Sequence, residues 1–263
     1  MNSDLQKCSE VIKRMKRQIV FASVSIGEGH IASAFSILDI LWVLYNEILR
    51  VYPLAPKHED RDRFVLSKGH GSLGLYAVLA EKGFFPATDL DRFATFESNL
   101  GGHPDCNKVP GVETSTGSLG HGFPIAVGIA IGLKIKQSSN RVVCIIGDGE
   151  ANEGTVWEAA LLAKHNRLDN LCCIIDFNHS TDRALDLGDL AAKFTAFGWD
   201  TSTIDGHDHS AILQALKNKS NSPRAIIAQT IKGHGCEMME NNPAWHHRTP
   251  RADELSIILS QLS

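Results

Sequence analysis

Asp148 stands between two glycines at the end of an apolar run, Val142-Val143-Cys144-Ile145-Ile146. Glycine on either side lets the backbone turn sharply and lets a ligand approach the chain closely. The segment that follows reads as a helix, and its first N–H groups would face the same spot and suit an anion such as phosphate. A carboxylate there repels a bare phosphate, so a divalent cation must lie between them. A second oxygen ligand arrives at Asn178, which closes the next apolar run, with 28 residues between Gly149 and Asn178. A carboxylate, an amide oxygen and one backbone carbonyl leave roughly three of about six positions for phosphate oxygens and water, the donor set of a hard cation such as Mg²⁺ or Ca²⁺. An Asp in a glycine turn is by itself an ordinary turn. With an Asn at this interval after a second strand it becomes a cation–diphosphate pattern.

The elements that must position these residues follow from the patterning. Residues 4–23 mix Leu5, Val11, Ile12, Met15 and Ile19 with a basic face of Lys13, Arg14, Lys16 and Arg17, and read as a helix with that face solvated. A second helix is expected from about Ser33 to Leu49 and a third after Gly71, with Pro53 and Pro56 punctuating the link. Beyond residue 123 apolar runs alternate with helical segments. RVVCIIGDG, LCCIIDFN, WDTSTID and RAIIAQT read as strands, separated by EGTVWEAALLAKHNRL and by helices near 188–197 and 209–219. This alternation implies an α/β fold, a mostly parallel sheet with helices on both faces. Ligands in such sheets bind at the carboxyl ends of the strands. That directs attention to Gly147-Asp148-Gly149, Asp176-Phe177-Asn178 and Lys232-Gly233-His234. Trp157 with the leucines behind it, Phe84 and Phe85 are expected in the core. With no repeat and no Pro/Ser-rich linker, residues 1–263 read as one domain.

Composition narrows the function classes. The 263 residues are 43% hydrophobic and 21% charged, an ordinary globular balance. A net charge of −4 with both signs scattered gives no footprint for nucleic acid. The apolar stretch Phe123–Leu133 is too short to span a bilayer and suits a buried helix, and MNSDLQKCSE lacks the apolar core of a signal peptide. No membrane association is therefore expected. Six cysteines without CxxC spacing read as reduced, mostly buried thiols of a cytoplasmic protein.

The pairing of GDG with a later asparagine is similar to the signature of thiamine-diphosphate enzymes, and the surrounding words are more specific still. GEGH (27–30), LSKGHGSLGLYAVLAEKGF (66–84), GGHPD (101–105), TGSLGHG (116–122), GDGEANEGTVWEAA (147–160), LDNLCCIIDFN (168–178), KFTAFGW (193–199), IKGHG (231–235) and MENNPAWH (239–246) stand in order along nearly the whole chain. Together they resemble the N-terminal, diphosphate-binding half of transketolase. The resemblance implies that Asp148, Asn178 and the carbonyl of Ser180 hold Mg²⁺ or Ca²⁺. It implies that Gly149, His70 and His246 contact the diphosphate of thiamine diphosphate, with weaker contacts from Ser33 and Lys232. Gly117-Ser118-Leu119 would lie against the cofactor, and Asn178 would serve both cofactor and metal. His30 and His103 match histidines that line the substrate channel, bond the donor's oxygens and move protons. Glu153 matches a glutamate in the network between paired active sites, with Glu158 on the same helix face.

The resemblance also shows departures. The family's GHPG is Gly29-His30-Ile31-Ala32 here, His121 replaces the usual glutamine, and the stretch between Asn178 and Lys193 is roughly five residues short of the usual length. These changes border the cofactor and channel and suit a non-standard donor or acceptor. Of the twelve histidines, His58, His165, His207 and His209 are expected to be incidental, while His121 and His234 sit in motif words without an assignable role. The family's pyrimidine-binding half is not in this sequence, so the expected unit is one subunit of a split transketolase, working with a chain that carries the pyrimidine-binding and C-terminal domains, as a dimer of heterodimers. It would transfer a two-carbon ketol unit between sugars or sugar phosphates. Two alternatives stand beside it. One is another thiamine-diphosphate enzyme, a deoxyxylulose-phosphate synthase or a 2-oxoacid decarboxylase or dehydrogenase subunit. The other is a non-catalytic cofactor-binding module, against which the retained His30, His103 and Glu153 argue.

Overall fold

The computed structural model describes residues 2–181 and 184–262, with side chains described from Cys8 onward. Leu5 and part of the shortened stretch after Asn178 lie outside the described side chains. Five parallel strands form one sheet: β1 (Arg63–Leu66), β2 (Val142–Gly147), β3 (Leu171–Phe177), β4 (Asp200–Asp205) and β5 (Arg224–Gln229), in the order β1-β2-β3-β5-β4. Every residue of β2 is buried, as are all but the last of β3 and of β5. These continuous apolar runs are what strands covered on both faces require. Strand β4, with its polar Thr201, Ser202 and Thr203, takes the edge.

Alternate side chains feed two cores. Val143, Ile145, Ile174 and Ile226 face α1 (Asn2–Ile26), α2 (Ile31–Val43), α3 (Ser72–Glu81) and, later in the chain, α7 (His209–Lys217) and α8 (Ala252–Gln261). Val142, Cys144, Ile146 and Ile175 face α4 (Gly122–Ile135), α5 (Gly154–His165) and α6 (Leu190–Ala196). The segment Ile31–Ile48 is long and apolar enough to cross a membrane by composition, but 89% of it is buried inside this fold, so it serves as a core helix.

Several expectations need correction. The N-terminal third is not wholly helical: Arg-Phe-Val-Leu at 63–66 is a strand, paired with β2 through Val65↔Cys144 and Leu66↔Ile145. Four residues are too few to show a periodicity. Helix α4 is buried along one stripe only, Phe123, Ala126, Val127 and Ala130, which leaves Ile125 and Ile135 exposed. The leucines behind Trp157 are not core either, since Leu161 and Leu162 are 56% and 48% exposed on the outer side of α5. Phe84 and Phe85 are half-buried against the first core. Lys16 leaves the solvated basic face altogether: it is 5% exposed, and its Nζ donates to the carbonyl of His234 at 2.6 Å.

Candidate active site

Because all five strands run the same way, the turns after β1, β2, β3 and β5 gather at one edge of the sheet. Gly147 pairs with Asp176 in register, and the Asp148 N–H donates to the Asp176 carbonyl at 3.1 Å, so Asp148 and Asn178 emerge side by side. Asp148 Oδ1 accepts the Gly149 N–H at 2.7 Å and opens a 3₁₀ turn over Gly149–Asn152. His179, at a φ of 60°, bends the chain so that Ser180 returns to the same place. The Ser180 N–H donates to Asp148 Oδ2 at 2.9 Å and to Asn178 Oδ1 at 3.2 Å, and Ser180 Oγ donates to Asp148 Oδ1 at 3.2 Å. The three residues expected to hold a cation therefore converge.

A second layer orients them. Asn178 Nδ2 donates to Asp176 Oδ2 and to Ser36 Oγ, each at 3.1 Å, which leaves the amide oxygen facing Asp148. Asp176 is fully buried and also accepts from Ser36 Oγ at 2.7 Å, from Thr230 Oγ1 and from the Lys68 ammonium. Burial pushes its carboxyl up, but Lys68 and these donors outweigh burial and hold it below the usual range. Asp148 goes the other way, raised by burial and then by the Asp176 carboxylate. A buried carboxylate whose charge is disfavoured by burial and by a second carboxylate, beside an oriented amide oxygen, is a hard-oxygen set that fits a divalent cation. Glu150 ties the edge together by accepting from Ser67 Oγ, from the Gly120 N–H at 2.9 Å and from the Gly147 N–H at 3.3 Å.

Histidines form the adjoining wall. His30 sits with ring centroids 5.3 Å from both His70 and His246 and 4.5 Å from His247. Its Nδ1–H donates to the His246 carbonyl at 2.7 Å, so the neutral ring keeps a free lone pair on Nε2. Burial is the main reason its pKa falls to about 4, and the neighbouring imidazoles add to the effect. Burial, then Lys68, lowers His70 further. Lys232 Nζ donates to His246 Nδ1 at 2.9 Å, which leaves a protonated Nε2 on His246 for an acceptor. Lys232 is itself depressed to about 8, by burial and then by Lys68. Lys68 is already paired with Asp176, whereas Lys232 bonds a neutral imidazole rather than a carboxylate, so Lys232 and the neighbouring imidazoles are the groups here that could meet an anionic ligand. Ser33, 1% exposed, has a buried Oγ without a hydrogen-bond partner. An orphaned hydroxyl of this kind costs about 1–3 kcal/mol, a cost that a ligand's polar group removes.

Gly117 and Gly69 explain how the 116–119 loop reaches this wall. A Cβ on Gly69 would meet Gly117 N at 2.9 Å, and one on Gly117 would meet the His103 ring at 3.3 Å, so the loop lies flat between His70 and His103. Tyr76 Oη donates to the carbonyls of Gly101 and His103, both at 3.0 Å, and fixes that backbone. Ser118 is exposed in this loop, and the Leu119 carbonyl accepts from His121 Nδ1 at 2.9 Å. Glu153 is not part of the histidine wall. It caps α5 from an exposed position, close behind Gly120, whose Cβ would lie 2.7 Å from that of Glu153.

His207 and His209 prove to be structural. His207 Nδ1–H donates to Asp39 at 2.9 Å and His209 Nε2–H at 2.8 Å, while His207 Nε2 accepts the Ile231 N–H at 2.9 Å. With Lys16 on the His234 carbonyl, this brace holds the 231–235 turn that presents Lys232. Ligand atoms of Asp39, His207 and His234 lie within 4.8 Å of one another. Even so, His207 has no lone pair left for a cation, because its Nε2 already accepts from the backbone. A cavity of about 730 Å³ opens at the opposite edge, beside Arg141, Asn170 and Arg224 where β2, β3 and β5 begin. It is remote from every group described above. Sequence reasoning assigned no role to Lys68, although it lies inside LSKGHG, and none to Ser36 or His247.

The convergent Asp148, Asn178 and Ser180 and the adjoining histidines lie at the carboxyl edge of a parallel sheet, where α/β proteins bind their ligands. Residues 8–262 match the family described as "Transketolase, thiamine diphosphate binding domain", and the chain belongs to that family. An apulose-4-phosphate transketolase subunit of Actinobacillus succinogenes is 38% identical over 98% of this chain and 96% of its own length. A 6-deoxy-6-sulfo-D-fructose transketolase subunit of a Clostridium species is 38% identical over 93% of this chain and 90% of its own. The solved transketolase of Campylobacter jejuni superposes with a TM-score of 0.90 and 31% identity over 97% of this chain, which spans only 43% of that longer chain.

Proposed function

We propose that this chain is the diphosphate-binding subunit of a split transketolase, active with a partner chain that carries the pyrimidine-binding and C-terminal domains, in a dimer of heterodimers. The observation that carries the reading is the convergence of Asp148, Asn178 and Ser180 beside the His30–His70–His246 wall. Relatives of matching length that are named as transketolase subunits support it. The reaction moves a two-carbon ketol unit from a ketose or ketose phosphate to an aldose acceptor. When bound, thiamine diphosphate supplies the carbanion chemistry of that transfer.

The chain's own residues divide the remaining work. Asp148, Asn178 and the Ser180 carbonyl would hold Mg²⁺ or Ca²⁺ between protein and diphosphate. Lys232 would offset the diphosphate's charge, His70, His246 and the Gly149 backbone would contact it, Ser33 Oγ would gain the partner it lacks, and the 117–119 loop would wall the site. His30 Nε2, neutral and unprotonated at physiological pH, accepts a proton from a donor hydroxyl, while His103 bonds the developing oxyanion. Glu153, outside the wall and exposed, would serve the network between paired active sites. The free cysteines, four of the six buried, suit the cytoplasm as the compartment. The test is co-purification of the partner followed by an assay of ketol transfer with and without thiamine diphosphate. Release of CO₂ from pyruvate in place of ketol transfer would favour another thiamine-diphosphate reaction.

A further inference from the structure

No motif word contains His247, yet its ring packs closer to His30 than either other imidazole does, 4.5 Å between centroids at a 36° tilt. It is exposed, whereas His30 is partly buried, so it stands on the solvent side of the histidine wall. The backbone around it is held firmly. Trp245 is buried at 2% exposure, the Arg248 guanidinium lies 3.9 Å above the Trp245 ring and pairs with Glu254, and His30 and Arg248 form a parallel β-bridge. A ring held on such a segment loses little freedom when a ligand arrives, which is the condition for reading a substrate rather than merely covering it.

His30 spends its Nδ1–H on the His246 carbonyl, which leaves one nitrogen, Nε2, for a ligand. His247 brings a second imidazole alongside. Two ring nitrogens on adjacent, tilted rings suit two hydroxyls on neighbouring carbons, because each hydroxyl both donates and accepts. We propose that His247 is a specificity-determining residue that works with His30 to grip two adjacent hydroxyls of a ketose donor, so that the site selects polyhydroxylated donors over short ones. The proposal rests on the transketolase reading and names the donor class for it.

The test uses the complex with its partner chain, purified through a tag on this subunit from the native cell, with wild type compared against His247→Phe and His247→Gln. Phenylalanine keeps an aromatic ring beside His30 and removes the ring nitrogens, while glutamine keeps a hydrogen-bonding group. Two donors are compared: a ketose phosphate, and 3-hydroxy-2-oxopropanoate, which holds the transferable two-carbon unit, loses CO₂ in place of an aldose and has no further hydroxyls. The expected result for His247→Phe is a KM for the ketose raised roughly tenfold, the loss of about one hydrogen bond, with kcat and the KM for the short donor within about twofold of wild type. His247→Gln should recover part of the loss, and thiamine diphosphate affinity should be unchanged in both variants. An unchanged ketose KM in an otherwise active His247→Phe complex overturns this assignment alone, as does an equal loss with the short donor. A wild-type complex without thiamine-diphosphate-dependent transfer from either donor overturns the transketolase reading, and this inference with it.

Discussion

Replacing Asp176 with asparagine should damage both stability and cation binding, by two separable routes. The carboxylate has no exposed surface, and the Lys68 side chain is 2% exposed, so the substitution strands a buried ammonium. Breaking a buried pair from one side costs about 3–5 kcal/mol. For a chain of this size each kcal/mol is worth about 2–4 °C, so the melting temperature should fall by roughly 6–20 °C. The second route is geometric. Ser36 and Thr230 both donate to Oδ1, while Lys68 and Asn178 both donate to Oδ2. An asparagine that keeps its oxygen toward Ser36 and Thr230 turns its NH₂ toward the Lys68 ammonium and the Asn178 NH₂, three donors with no acceptor. Asn178 then relieves the clash by rotating its own amide, which replaces the oxygen facing Asp148 with an NH₂ group. Loss of such an outer-shell partner lowers metal affinity about 10–100-fold. The double variant Lys68→Met/Asp176→Asn separates the routes, since removing the stranded ammonium restores much of the stability but leaves Asn178 misoriented. Thermal unfolding and calorimetric titration of Mg²⁺ with thiamine diphosphate read the two effects. A single variant that melts within about 2 °C of wild type and binds the cation equally well would refute the reasoning.

Asp148→Asn should lower cation-dependent thiamine diphosphate affinity by about 100-fold while leaving the ligand-free chain as stable as wild type or more so, because burial and Asp176 already disfavour the Asp148 charge; a large loss of stability in the ligand-free variant would contradict this. His103→Ala should cut donor turnover by at least about 100-fold with cofactor binding nearly intact, checked by steady-state kinetics beside calorimetry, and an unchanged rate removes His103 from the mechanism. His234 is depressed to about 4 by burial and then by His207, so the unfolded chain takes up its proton first. Its contribution is therefore complete above about pH 6.5 and is lost as the pH falls toward 4. Unfolding free energies of His234→Gln should accordingly depend less steeply on pH than wild type in that window, and parallel curves would count against the assignment. Gly122→Ala places a Cβ 2.6 Å from Ser67 Oγ and 2.7 Å from Ser67 Cα. It should destabilise the chain by about 1–3 kcal/mol as the start of α4 is pushed off the turn after β1, measured by denaturant unfolding against an unchanged wild-type midpoint.

Strands β2, β3 and β5 were legible because their runs are apolar and bounded by glycine, asparagine or charged residues, and β4 because its Thr-rich run lies between two helical segments, while Asp148 and Asn178 stand out because each ends an apolar run. Strand β1 was not, since the four residues Arg63–Leu66 are too few to show a period. What the sequence could not show is pairing over distance. Lys68 and Asp176 are 108 residues apart and Asp39 and His207 are 168 apart, and each pair looks ordinary until the sheet brings its members together. Lys16 misleads for the same reason, because a cation on a basic helix face looks solvated until a buried carbonyl is found opposite it. Leu161 and Leu162 mislead because hydrophobicity alone does not say which side of α5 meets the sheet. His247 is silent in the sequence because its partner, His30, is set by a backbone bridge between chain segments more than two hundred residues apart.

The central claim is tested most directly by isolating this chain with whatever binds it in its own cell and measuring ketol transfer from a ketose phosphate to an aldose. The expected result is a stoichiometric partner chain and a transfer rate that disappears when thiamine diphosphate and divalent cation are removed and returns when both are restored. A chain that binds Mg²⁺ and thiamine diphosphate but is recovered without a partner and transfers nothing would contradict the split transketolase and favour a cofactor-binding module.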